Sequence, residues 1–166
     1  AAQVVPAEGG QTEWADMRAA YDALDDKTRE QIADLAAYHS LFYSQSKVGH
    51  KPATGASYGL SDQDIPLRPL VKVHPVTQRP ALFIGRHAYG IPGLSEAESE
   101  ALLERLTAFA CQPPRVFAHT WQPGDVVMWD NRCVLHRARP YDYAKPRVMR
   151  HVRVAGDPIT EAGIIA

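Results

Sequence analysis

The sequence predicts a mainly β domain with flanking helices: an antiparallel β core of the double-stranded β-helix (jelly-roll) kind with helices packed outside it. Three observations predict this. Four short strand-like runs crowd the C-terminal part, "RVFAHTW", "DVVMWD", "CVLHRAR" and "PRVMRHVRVA", separated only by "QPGD", "NR" and "PYDYAK". Helical periodicity is confined to the stretch after Asp16 and to "LSEAESEALLERLTAFAC". The composition, 45% hydrophobic and 22% charged over 166 residues, suits one globular domain large enough to bury a core.

In chain order, residues 2–5 are strand-like, and the Pro and paired Gly of "PAEGG" break them into a turn. "QTEWAD" reads as a short strand. From Asp16, placed to cap the next helix, Met17, Ala20, Tyr21 and Leu24 recur at helical spacing. A second helix is expected through "DKTREQIADLAAYHS", with Ile32, Leu35 and Ala36 inward. Residues 44–66 are polar and rich in Gly, Ser and Pro, a loop long enough to be the candidate lid. "PLVKVHP" and "ALFIG" read as strands joined by a hairpin turn at "PVTQRP". The last clear helix opens with the capping box Ser95-x-x-Glu98 and carries Leu102, Leu103, Leu106 and Ala110 on one face.

Several function classes are excluded by what the residues offer. A formal net charge of −1 with both signs interspersed gives no electrostatic footprint for nucleic acid or a membrane surface. No apolar run is long enough for a spanning helix. Cys111 and Cys133 form no CxxC pair and read as reduced thiols of a cytoplasmic protein. G-x-S-x-G, P-loop and H-E-x-x-H patterns are all absent. Taken alone, His136 reads as a core or surface histidine and Arg147, eleven residues on, as a surface salt-bridge partner.

Their context changes that reading. "WDNRCVLHRARPYD" followed by "PRVMRHVRVAGD" closely resembles the Fe(II)- and 2-oxoglutarate-dependent dioxygenases of the taurine dioxygenase/2,4-dichlorophenoxyacetate dioxygenase (TauD/TfdA) family. "VPAEGGQTEWADMRAAYDAL" and "LVKVHPVTQRPALFIGRHA" are similar to other family segments, in family order, so the resemblance runs from Val4 to Asp157. The first and last segments are closer to the phenoxyalkanoate branch.

The resemblance implies a role for several residues. His136 matches the distal histidine of a two-histidine, one-carboxylate iron site, a facial triad that leaves positions for cosubstrate and O₂. Arg147 matches the arginine that anchors the far carboxylate of 2-oxoglutarate, a task suited to a planar, permanently charged fork. Thr12 matches a threonine whose hydroxyl donates to that same carboxylate. Trp129 matches an indole lining the metal pocket. Where taurine-type members hold an arginine for the substrate sulfonate, this chain has His151. On the expected strand Arg147, Met149, His151 and Arg153 share one face, so His151, with Arg153, is expected to contact an anionic substrate. A histidine hydrogen-bonded to backbone is the equal alternative. Asp130, Asn131 and Arg132 are expected to form a tight turn and Cys133 an inert thiol.

One family motif has no counterpart. The H-x-D that supplies the other iron ligands is expected about fifteen residues before Thr12 in the family's spacing, and no H-x-D or H-x-E occurs in this sequence. Residues 1–166 are therefore expected to be the C-terminal two-thirds of a single such domain and inactive by themselves. The implied activity is hydroxylation of a small anionic organic substrate, an aryloxyalkanoate with ether cleavage, using Fe(II), 2-oxoglutarate and O₂ and giving succinate and CO₂. An alkylsulfonate or alkyl sulfate dioxygenase is the alternative, as is a non-catalytic jelly-roll relative. A homo-oligomer is expected.

Overall fold

In the computed structural model of the protein, residues 1–49 and 65–161 are described. Strands β1 (Ala2–Val4) and β2 (Thr12–Asp16) lead into helices α1 (Met17–Asp22) and α2 (Asp26–Ile32). Then come β3 (Ala36–His39), α3 (Leu41–Ser46), β4 (Leu67–Pro69), β5 (Val71–Val73), β6 (Pro80–Leu82) and β7 (Ala88–Tyr89). The long helix α4 (Glu96–Ala110) precedes β8 (Val116–His119), β9 (Val134–Ala138), β10 (Val148–Met149) and the short α5 (Pro158–Glu161).

All strand pairs are antiparallel, in sheets ordered β1-β10, β8-β2-β9, β4-β3-β7 and β5-β6. The architecture is thus mainly β with helices, and among the described residues the sheets do not close into a barrel. β2 is central to the fold because its two faces serve two cores, as the two-residue strand period allows. Ala15 faces the large core with Met17, Ile32, Leu70, Leu82, Leu103 and Leu106, where α1 covers β6 and α4 packs on α1 and β7. Trp14 faces a smaller cluster with Ala2 and Trp121.

Local chemistry explains the helices. The Asp16 carboxylate accepts from the amides of Arg18 and Ala19, and Ser95 and Glu98 form the reciprocal capping box that starts α4. The hairpin turn lies where the spacing predicts, between β5 and β6, with Gln78 at φ 57.

Four expectations fare differently. α2 ends at Ile32, and Ala36–His39 is a strand: the edges of β4 and β7 offer it hydrogen bonds on both sides, which outweigh the helix propensity of its alanines. "DVVMWD" joins no ladder; Val126 and Met128 are 76% and 94% exposed, and no described strand lies alongside to pair with them. β10 stops at Met149, so His151 and Arg153 lie beyond the strand on exposed chain and the shared-face argument for them does not hold. Of the expected lid, residues 44–49 are the end of α3 and a turn, and 50–64 lie outside the described residues.

Candidate active site

β2 carries the centre of the site. Opposite Trp14 stand Phe117 on β8 and His136 on β9, and opposite Thr12 stand His119 and Ala138. Residues directly opposite on antiparallel strands share a face, so Thr12, Trp14, Phe117 and His136 all look the same way. All three tryptophans of the chain gather there. The Trp14 ring lies 5.4 Å from Trp129 and 6.4 Å from Trp121, and Trp129 lies 5.1 Å from His136. Trp129 is held by its indole N–H, which donates to Asn131 Oδ1 at 2.8 Å.

His136 is open to solvent on this face, yet the packing around it, aided by the charge of Arg153, pushes its pKa down. It is therefore neutral near pH 7, the form that offers a lone pair to a metal. His87 lies near enough to feel His136; burial, then Arg68 and His136, hold it neutral as well. Behind it His39 stacks on Phe83 at 5.2 Å and meets His87 edge-on at 4.8 Å. Burial first, then His87 and Arg68, push the His39 pKa down to about 3.

Arg147 precedes β10, which pairs with β1, whereas His136 lies on β9, which pairs with β2. The two residues are therefore not on hydrogen-bonded neighbours; the "PAEGG" turn joins their sheets. Gly9 and Gly10 have φ of 75° and 67°, and the Gly10 amide donates to the Pro140 carbonyl at 3.2 Å. A Cβ on Gly9 would meet that carbonyl oxygen at 2.7 Å, so only glycine permits the approach. Arg147 Nη2 donates to the Gly10 carbonyl at 3.2 Å, its carbon Cζ sits 5.7 Å from the Tyr141 ring centre, and its Nε is buried with no partner. Thr12, two residues after Gly10, is buried, and its Oγ1 accepts the Trp121 indole N–H at 2.9 Å.

These donors fit a carboxylate. A buried guanidinium N–H without an acceptor is costly, and an anion against Arg147 would remove that cost. A neutral imidazole on the same face as Thr12 fits a metal ligand. His151 and Arg153 are exposed; of the two, only Arg153 acts electrostatically on His136.

Among the described residues, the one cluster of three potential metal ligands is elsewhere: His74, Asp130 and Cys133. It is a hydrogen-bond network. His74 Nδ1 accepts from the amides of Val76 and Thr77 at 3.2 and 3.1 Å, so the ring proton must sit on Nε2, 3.2 Å from Asp130 Oδ2. A nitrogen that carries a proton has no lone pair for a metal. Arg132, by its side chain and amide, holds the Asp130 carboxyl well below the usual carboxylate range, and burial pushes the Cys133 thiol up. The tight turn expected at Asp130–Arg132 is thus present, and His74 anchors it. Gly10, His74, His87 and Trp121 escaped sequence reasoning because no motif spacing marks them.

A profile of the taurine catabolism dioxygenase TauD/TfdA family matches residues 1–155. The chain belongs to this family. Among its TauD/TfdA relatives, the (S)-phenoxypropionate/alpha-ketoglutarate-dioxygenase of Sphingobium herbicidovorans is 59% identical, aligned over 98% of this chain and 58% of that protein. The alpha-ketoglutarate-dependent 2,4-dichlorophenoxyacetate dioxygenase of Cupriavidus pinatubonensis is 42% identical, over 95% of this chain and 54% of that one. A crystal structure of AAD-2 in complex with Mn(II) and N-oxalylglycine superposes with a TM-score of 0.81 at 46% identity, over 90% of this chain and 58% of that one. The chain therefore spans little more than half the length of the TauD/TfdA relatives it matches.

Proposed function

We propose that residues 1–166 form the C-terminal part of one TauD/TfdA-type domain with a jelly-roll core, in an Fe(II)- and 2-oxoglutarate-dependent dioxygenase that acts on an aryloxyalkanoate. The observation that carries this reading is the buried, unpartnered Nε of Arg147, held on Gly10 beside Thr12. In it, Arg147 and Thr12 anchor the distal carboxylate of 2-oxoglutarate, and His136 supplies one metal ligand. Fe(II), with O₂ and the 2-oxo acid, supplies the power to hydroxylate a C–H bond, with succinate and CO₂ as coproducts. The chain's own residues position the reactants and exclude water. Trp129 borders His136, Phe117 stacks on Trp14 on the same face, and both offer flat apolar surface to an aryl ring. In this reading Arg153, near enough to lower the His136 pKa, supplies the cation for the substrate carboxylate, with His151 two residues before it. If the hydroxylated carbon bears the ether oxygen, the hemiacetal collapses and releases the phenol.

The 59% identity to a phenoxypropionate dioxygenase favours this over alkyl sulfates, for which the sulfate ester dioxygenase of Pseudomonas putida, at 32%, is one relative. No helix among the described residues is long and apolar enough to cross a membrane. A homo-oligomer in the cytoplasm completes the proposal, and light scattering tests the assembly. For the activity, the full-length protein is incubated with Fe(II), 2-oxoglutarate and O₂ over a panel of aryloxyalkanoates, alkyl sulfates and alkylsulfonates. Succinate and phenol in equal amounts from an aryloxyalkanoate are expected. Consumption of sulfate esters or sulfonates alone would overturn the substrate class, and no succinate from any compound would mark a non-catalytic relative.

A further inference from the structure

Thr12 sits in the middle strand of its sheet, between β8 and β9, and is only 7% exposed. A hydroxyl there can either donate or accept, and the direction decides whether it helps or repels an anion. Trp121 settles the direction. An indole N–H can only donate, so the 2.9 Å contact makes Thr12 Oγ1 the acceptor. The hydroxyl keeps its one proton for another acceptor, and among the described residues none takes it. Charge drawn from Oγ1 by the indole also makes that proton a better donor.

The indole is itself held. The His119 ring meets Trp121 edge-on at 4.7 Å and 90°, and His119 Nε2 lies 2.8 Å from Asp125 Oδ2. The same carboxylate accepts the Gln122 amide at 2.8 Å, closing the turn that follows Trp121. That turn is pinned to β1 in both directions: Ala2 donates to the Asp125 carbonyl and Gly124 to the Ala2 carbonyl, each at 2.9 Å. β1 pairs with β10, the strand that Arg147 precedes. Trp121 therefore stands where the Thr12 sheet meets the Arg147 sheet, and its ring packs on Trp14 in the smaller core.

We propose that Trp121 is a positioning residue: its indole N–H occupies the Thr12 oxygen and so commits the Thr12 hydroxyl to donate to the distal carboxylate of the cosubstrate. This rests on the reading of Arg147 and Thr12 as the 2-oxoglutarate anchor.

The test is anaerobic titration of 2-oxoglutarate into the Fe(II)-loaded full-length protein, followed by the visible absorbance of the chelate. Trp121→Phe keeps a ring and removes the donor. It is expected to weaken 2-oxoglutarate binding about fivefold, the loss of one hydrogen bond, and to leave Fe(II) affinity unchanged. Thr12→Val, which keeps the shape, weakens binding at least as much, and the double variant is no weaker than Thr12→Val alone. Additive losses, or no loss in Trp121→Phe, would overturn the proposal. Thr12→Val and Arg147→Lys both without effect would instead overturn the anchor on which it rests. Should Trp121→Phe fail to fold, the indole ¹⁵N–¹H resonances of the Zn(II)-loaded protein decide. The resonance displaced by Thr12→Val is that of Trp121, and N-oxalylglycine is expected to move it downfield and slow its exchange. No movement of that resonance on binding would sink the proposal.

Discussion

Arg147 rests its guanidinium on Gly10: Nη2 donates to the Gly10 carbonyl at 3.2 Å, while Nε is buried without a partner. The backbone of one residue thus aims the side chain of another 137 positions away. A Cβ at position 10 would stand 3.2 Å from Nε and 3.3 Å from Pro6 Cγ, on backbone at φ +67°. Gly10→Ala is expected to cost about 1–2 kcal/mol through the left-handed backbone alone. It should also weaken 2-oxoglutarate binding by displacing the guanidinium. Urea unfolding and cosubstrate titration check the two effects, and an unchanged titration would show that Arg147 does not depend on Gly10 for its place.

Replacing the fork with a point charge separates geometry from charge. Arg147→Lys keeps the cation and loses the paired donors that match a carboxylate. The expected outcome is about tenfold or greater weakening of 2-oxoglutarate binding with the urea midpoint little changed. Equal affinity would mean that the carboxylate sits elsewhere.

His74 and Asp130 make a structural prediction. Asp130 Oδ1 accepts the Arg132 amide at 2.8 Å, both its oxygens accept from the Arg132 side chain, and Oδ2 faces His74 Nε2. Its folded pKa is lowered, so this carboxylate contributes stability above about pH 4, the unfolded value, and loses it as pH falls below that. Asp130→Asn is expected to destabilise the turn by about 1 kcal/mol at pH 7 and to shrink that difference below pH 4. Zn(II) is expected to leave the Cys133 thiol reactivity unchanged, because His74 presents a protonated nitrogen to the cluster. Protection of the thiol by Zn(II) would contradict the tautomer.

Acid should act through His39 at higher pH. Its folded pKa, about 3, lies below the 6.5 of the free side chain. The unfolded chain therefore gains a proton that the folded chain refuses, and stability present above pH 6.5 declines as pH falls toward 3. At pH 5 this amounts to about 2 kcal/mol. His39→Phe, which can still stack on Phe83, is expected to lower this loss, read as a smaller drop in urea midpoint between pH 7.5 and 5. An identical drop in both proteins would place the acid sensitivity elsewhere, with His87 the next residue to vary.

Much of the scaffold was legible because it is local. The α4 capping box, the Asp16 cap and the β5–β6 hairpin each follow from a few adjacent residues whose side chains satisfy their own backbone. The misreadings share one cause. Ala36–His39 looks helical until two strand edges are brought beside it, and "DVVMWD" looks like a strand but finds no described edge to join. Strand formation needs hydrogen-bond partners from distant sequence, which no local window contains.

The same division holds at the site. The sequence by itself determined the chemical inventory: a neutral-capable imidazole at 136, a fork at 147, a hydroxyl at 12, and the family they resemble. Only the tertiary structure decided how these act together. It placed His136 across from Trp14, set Arg147 on Gly10 with one N–H unpaired, removed His151 from the expected strand, and turned the Thr12 oxygen toward Trp121. The physical reason is that spacing along a chain encodes which groups are available. The direction of a hydrogen bond, the neutrality of a histidine and the close approach over a glycine arise only when segments far apart in sequence are packed against one another.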